Sequence, residues 1–116
     1  MNLLFILNDP PYGTERSYNA LRLANALVTR DETHVRVFLM GDAASCAKAG
    51  QKVPSGYYHL ERMLAGVVRR GGEIAVCGSC MDARGLTDAE LVEGVCRGSL
   101  SGLACWTAEA DKVLTF

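Results

Sequence analysis

From Leu3 to Leu7 the chain runs LLFIL without a polar position, and it then meets Asn8-Asp9-Pro10-Pro11. An unbroken apolar run is the pattern of a strand buried on both faces, and two prolines, which have no N–H to donate, forbid further ladder pairing. Between Thr14 and Thr29 the apolar positions Tyr18, Leu21, Leu23, Ala24, Leu27 and Val28 recur near a 3.6 period. Thr14 stands where an N-cap belongs, and Glu15 where the first turn favours an acid. The pattern predicts a helix over 14–29. A second apolar run, Val35 to Met40, closes on Gly41-Asp42. Strand, helix and strand make a βαβ unit.

Ala43 to Gly56 is rich in small residues, with one proline, and predicts a short helical turn followed by an irregular loop. Helical spacing returns from Tyr57 to Arg70 through Tyr58, Leu60, Met63, Leu64, Val67 and Val68, with Gly71-Gly72 as the stop. Ile74 to Cys77 is a short third strand, and Cys80 to Arg84 a one-turn helix ended by Gly85. Thr87-Asp88-Ala89-Glu90 has the spacing of a capping box. Leu91 to Val95 fits helix or a fourth strand equally. Ser99 to Ala108 is a further helix and Lys112 to Phe116 a last strand. Strands alternating with helices at this spacing imply an α/β domain with a mostly parallel sheet covered on both faces. Ligand sites in such sheets gather at the carboxyl ends of the strands. Three stretches fall there: Asn8 to Gly13, Gly41 to Cys46 and Cys77 to Gly85.

Composition narrows the partners. The chain has 116 residues, enough for one domain with a core of its own, over residues 1–116. Twelve basic and 13 acidic residues leave a formal charge of −1, without the basic excess that nucleic acid or an anionic membrane would require. An apolar fraction of 49% and a mean hydropathy of +0.10 leave apolar surface for self-association. The N-terminus reads as a first strand and not as a signal peptide, and no window reaches the ~18 apolar residues of a membrane span. A cytoplasmic location is therefore expected. Five cysteines, an odd number, favour reduced thiols over a disulfide framework.

Chemistry concentrates at Cys77-Gly78-Ser79-Cys80. As a zinc site it lacks partners: Cys46, Cys96 and Cys105 make no second CxxC, and His34 and His59 lack paired spacing. No metal and no cofactor is expected. As a redox pair it has a thiol near unpaired helix N–H groups, which favour thiolate, although the helix behind it is one turn long. As a sulfur carrier it needs one accessible thiolate and little else. Buried, inert packing is the remaining alternative, opposed by Gly78 and Ser79, whose small side chains leave room for a ligand. Arg84 is either a charge partner for a thiolate or a solvated helix-end cation. NDPPYGTERS reads as an anion cradle built on the N–H groups of Gly13 and Thr14, with Asn8 and Tyr12 as binding candidates, or as a rigid turn with an N-cap. His34 is expected to be exposed at a strand start, Cys96 and Cys105 to be packing residues, Cys46 to be exposed, and Trp106 to lie in the core or at a subunit contact. Neither GxGxxG nor a P-loop is present.

NDPPYGTERSYNALRLANAL, VFLMGDAASCAKAGQ, PSGYYHLERML, EIAVCGSCMDARGL and WTAEADKVLTF, in this order along nearly the whole chain, resemble the DsrE/DsrF-like (DsrEFH) family, in particular its small single-domain YchN-like branch. The resemblance implies a three-layer α/β/α fold on a five-stranded parallel sheet, assembled as a homotrimer or homohexamer. For relay subunits of the DsrE and TusD type it implies sulfur transfer through a cysteine persulfide, between sulfur-donor and sulfur-acceptor proteins. Their carrier cysteine follows the third strand, eight residues before the glycine of an Arg-Gly pair, which matches Cys77 ahead of Arg84-Gly85. Cys80 is a second thiol that relay subunits generally lack, able to resolve a persulfide as an internal disulfide. The expectation is a persulfide carrier or sulfurtransferase-like protein; the alternative is a non-catalytic oligomeric module that binds a small ligand or senses redox state.

Overall fold

The structure, a computed structural model, describes residues 1–116. Five strands form one sheet: β1 (Asn2–Leu7), β2 (His34–Leu39), β3 (Glu73–Cys77), β4 (Val95–Gly98) and β5 (Lys112–Thr115). Their spatial order is β4-β3-β2-β1-β5 and every pair is parallel. The helices are α1 (Arg16–Leu27), α2 (Leu60–Arg69), α3 (Gly78–Ala83) and α4 (Leu100–Glu109), with 3-10 turns at Gly41–Ala47 and Asp88–Glu90. The predicted α/β architecture stands.

Alternation along the strands divides the apolar residues between two unequal faces. Leu3, Phe5 and Leu7, Val35, Val37 and Leu39, and Ile74 and Val76 join Leu21, Ala24, Leu60, Leu64 and Val67 of α1 and α2 in a cluster of 23 buried residues. The opposite face buries only Leu4, Phe38, Ala75 and Leu103. Since a fully buried aliphatic or aromatic side chain contributes about 1.5–3 kcal/mol of transfer free energy, the first face supplies most of the hydrophobic stabilisation. On the second face α4 buries Leu103 alone. Polar contacts add to its hold: Arg36 of β2 pairs with Glu109 at 2.5 Å and stacks over Trp106 at 5.2 Å, and Trp106 meets Phe38 edge-on.

Several boundaries differ from the predicted ones. Helix α1 begins at Arg16 with Glu15 in the cap position and no side-chain cap. Thr14 Oγ1 accepts from the Arg16 N–H at 3.3 Å while its hydroxyl is turned to Asp9, so the hydroxyl serves the loop before the helix. The capping box at Thr87 and Glu90 forms with both halves present, but on a single 3-10 turn. The ambiguous 91–95 segment is neither a helix nor a full strand: Leu91 makes an isolated antiparallel bridge to Lys48, and β4 begins only at Val95. Gly71 lies in left-handed backbone (φ 92°) after α2, as the Gly-Gly stop requires.

Cysteine positions need three corrections. Cys46, expected to be exposed, is buried, because Gly41–Ala47 folds its small residues into the main core. Cys96 and Cys105, expected to pack, are exposed: β4 is an edge strand on the thinly covered face, and Cys105 sits on a helix that buries one residue.

Candidate functional site

Strand β3 delivers Cys77 to the carboxyl edge of the sheet, where its backbone leaves the strand and becomes the cap of α3. The Gly78, Ser79 and Cys80 N–H groups thus stand at the start of a helix with no partners within it. Cys77 Sγ lies 3.3 Å from Ser79 Oγ. Burial works against its ionisation, but the Cys80 thiol, the Ser79 hydroxyl and the N–H groups of Cys80 and Ser79 outweigh it and hold the Cys77 thiol below its ordinary value of 9.0. Cys80 moves the other way: the bond to Cys77 and burial push it up, against the Gly41 N–H, which donates to Cys80 Sγ at 3.1 Å, and the charge of Arg84. Of the two thiols, Cys77 is the one whose thiolate the surroundings favour.

Cys77 and Cys80 open into a cavity of about 580 Å³ between the sheet edge and the start of α4. Phe38, Met40, Leu100 and Leu103 line its apolar wall; Ser79, Asp82, Arg97 and Ser99 supply polar groups. Ser99 caps α4, accepting from the Gly102 N–H at 3.1 Å.

The remaining predicted binding residues do not converge on this cavity. Asn8 spends its side-chain amide and its N–H on the carbonyl of Phe116, at 3.2 and 2.9 Å. The Tyr12 hydroxyl donates to Gln51 at 2.8 Å and accepts from the Leu60 N–H at 3.3 Å, pinning the NDPPYG loop to the start of α2. Gly13 supplies a left-handed turn (φ 98°) in that loop. These contacts tie the stretch to its neighbours as a turn, without the side-chain N-cap expected at its end. Arg84 is engaged with Asp42 at 2.7 Å and with the Cys80 carbonyl at 3.1 Å, so it serves the Cys80 side of the pair. No three His, Cys, Asp or Glu side chains gather around a point where a metal ion would sit.

Arg97 is the cation that the sequence reading missed. It is the only cation lining the cavity, and it reaches Asp82 through two bonds of 3.1 and 2.9 Å. Its signal was hidden because Val95–Gly98 has one fully buried residue and no apolar period to announce a strand.

The DsrE/DsrF-like family model matches residues 1–116. The chain belongs to the DsrE/DsrF-like family. This family is associated with sulfur relay. Among its relatives, protein YchN of Escherichia coli K12 is 40% identical over 115 residues, 98% of this chain and 97% of YchN. Protein MJ0989 of Methanocaldococcus jannaschii is 36% identical across the whole of both chains. The crystal structure of YchN from E. coli matches with a TM-score of 0.93, covering 99% of this chain and 98% of that one. MTH1491 of Methanobacterium thermoautotrophicum, at 13% identity, shares the DsrE/DsrF-like fold with a TM-score of 0.77 over 99% of this chain and 98% of that one. No helix of this family member is long and apolar enough to cross a membrane.

Proposed function

We propose that this protein carries sulfane sulfur as a persulfide on Cys77. The observation that supports this best is the asymmetry of the pair: Cys77 faces a cavity as the favoured thiolate, and Cys80 beside it is pushed toward the neutral thiol. In loading, the Cys77 thiolate attacks the outer sulfur of a donor persulfide; the donor's S–S bond breaks and its thiolate leaves with the electron pair. In unloading, an acceptor thiolate attacks the terminal sulfur and Cys77 departs as thiolate. A depressed pKa helps both steps, since it populates the nucleophile and makes Cys77 the better leaving group. Cys80 assists by hydrogen bonding to the anion. When Cys80 itself ionises, it attacks the inner sulfur of the Cys77 persulfide, expels hydrosulfide and leaves a Cys77–Cys80 disulfide, which a thiol reductant must reopen.

Donor and acceptor are protein thiols in this reading, the setting is a reducing cytoplasm, and the working unit is a homotrimer or homohexamer. The thin cover on the second face of the sheet and the 75% exposure of Leu100 support self-association. The test is intact-protein mass spectrometry after incubation with a low-mass persulfide donor, followed by peptide mapping. Wild type is expected to gain one sulfur on the Cys77 peptide, and Cys77→Ser to gain none there. A Cys77→Ser protein that loads as fully as wild type sinks the proposal, and a Cys80→Ser protein is expected to load and to form no internal disulfide.

A further inference from the structure

Two Arg–Asp pairs flank the cysteine pair. Arg84 is held by Asp42 and its charge acts on Cys80. Arg97 is held by Asp82 on two nitrogens, with Asp88 at 3.7 Å, and its own proton is retained first through Asp82, against burial, and further by the charges of Asp82, Asp88 and Cys77. The β3–β4 register sets Cys77 opposite Gly98 and Val76 opposite Arg97. From there the guanidinium crosses the start of α3 at Gly78. A Cβ on Gly78 would stand 2.8 Å from Arg97 Nε and 3.0 Å from its central carbon, so the guanidinium would have to move aside to admit it. Gly78 has no left-handed backbone to require a glycine. Its missing side chain is the space that the guanidinium occupies.

We propose that Arg97 is the positioning cation of this site: admitted by Gly78 and clamped by Asp82, it holds its charge on the Cys77 side of the cavity and adds to the Cys80, Ser79 and N–H groups that make Cys77 the nucleophile. This rests on the reading of Cys77 as the sulfur-carrying residue. The charged and titratable groups around the thiol come from two elements. Helix α3 supplies Cys80 and Asp82; β4 supplies Arg97; the lining part of α4 supplies Ser99 and no charge. Asp88 reaches the group only through Arg97, and Arg84 only from the far side of Cys80. With Asp82 and Asp88 both present, Arg97 is the one lining group that offsets negative charge at the cavity, so its removal exposes the thiolate to two acids.

The experiment is the pH dependence of Cys77 alkylation in the fully reduced protein, followed on its own peptide by mass spectrometry. At the pH of the wild-type midpoint, Arg97→Met is expected to slow Cys77 several-fold, up to about tenfold for one unit of pKa. Arg97→Lys restores most of the rate. Arg84→Met leaves Cys77 within about twofold, because a cation on the Cys80 side is screened from it. An Arg97→Met protein with the wild-type profile overturns the proposal, as does an Arg84→Met protein slowed as much as Arg97→Met. If Arg97→Met does not fold, Arg97→Gln, which keeps a donor for Asp82 and loses the charge, decides alone: a Cys77 with the wild-type profile overturns the assignment. No sulfur donor enters this series, so its failure is separate from failure of Cys77→Ser to abolish loading.

Discussion

Cys46 is wholly buried beside Ala43, Ala44 and Ala47, and burial pushes its thiol up to about 12, against smaller help from Ser17. The folded state favours the neutral thiol, so Cys46 contributes stability that is present below the ordinary value of 9.0 and lost as pH rises through about 12. Urea midpoints of wild type should therefore fall between these values, and those of Cys46→Ala should fall less steeply over the same range. Cys77 has the opposite sign. Its depressed pKa means that the thiolate's contribution is complete above 9.0 and is lost as pH falls through the folded value. The midpoint of the Cys77 alkylation rate against pH should accordingly lie below 9.0. A midpoint at or above that value, as for a free thiol, would contradict the preference for the Cys77 thiolate. At this scale the sequence told much about Cys77 and little about its surroundings. CxxC after an apolar run marks a strand end, which is local information. That Arg97 and not Arg84 lines the cavity depends on the pairing of β3 with β4, and no local pattern carries it.

Helix α4 shows what an element can hold with few buried residues. It buries Leu103, keeps Arg36 against Trp106 and Glu109, and starts from a Ser99 cap whose hydroxyl accepts from Gly102. Ser99→Ala should cost about 1 kcal/mol, the usual value of an N-cap, read as a lowered thermal midpoint. A midpoint equal to wild type would mean that the α4 start is fixed by its neighbours instead. Elements with strong periodicity were legible: α2 and β1 to β3 lie within one to three residues of the predicted spans. β4 was not, because an edge strand of four residues with one buried side chain has too little pattern to separate it from a turn. The start of α1 slipped for a different reason. Thr14 has the chemistry of an N-cap, but its hydroxyl donates to Asp9, five residues back, and the helix starts after it.

At the scale of the molecule, the asymmetry between a 23-residue core and a four-residue one leaves the α4 side with apolar surface in solvent. Light scattering is expected to give the mass of three or six chains, and Leu100→Glu to lower it; a wild-type monomer at micromolar concentration would remove the oligomer from the proposed function. The order β4-β3-β2-β1-β5 has a further consequence, for the chain as it is being made. β1 is first off the ribosome and β5 last, yet they are neighbours, joined along Leu3 to Ile6, with the Phe116 N–H bonded to Ile6 and its ring stacked on Phe5. Until Lys112–Thr115 has emerged, one edge of the most apolar strand stands open, a template for a wrong strand. Nascent chains stalled before Lys112 should therefore be the aggregation-prone species, and the emergence of β5 is the step that closes the sheet.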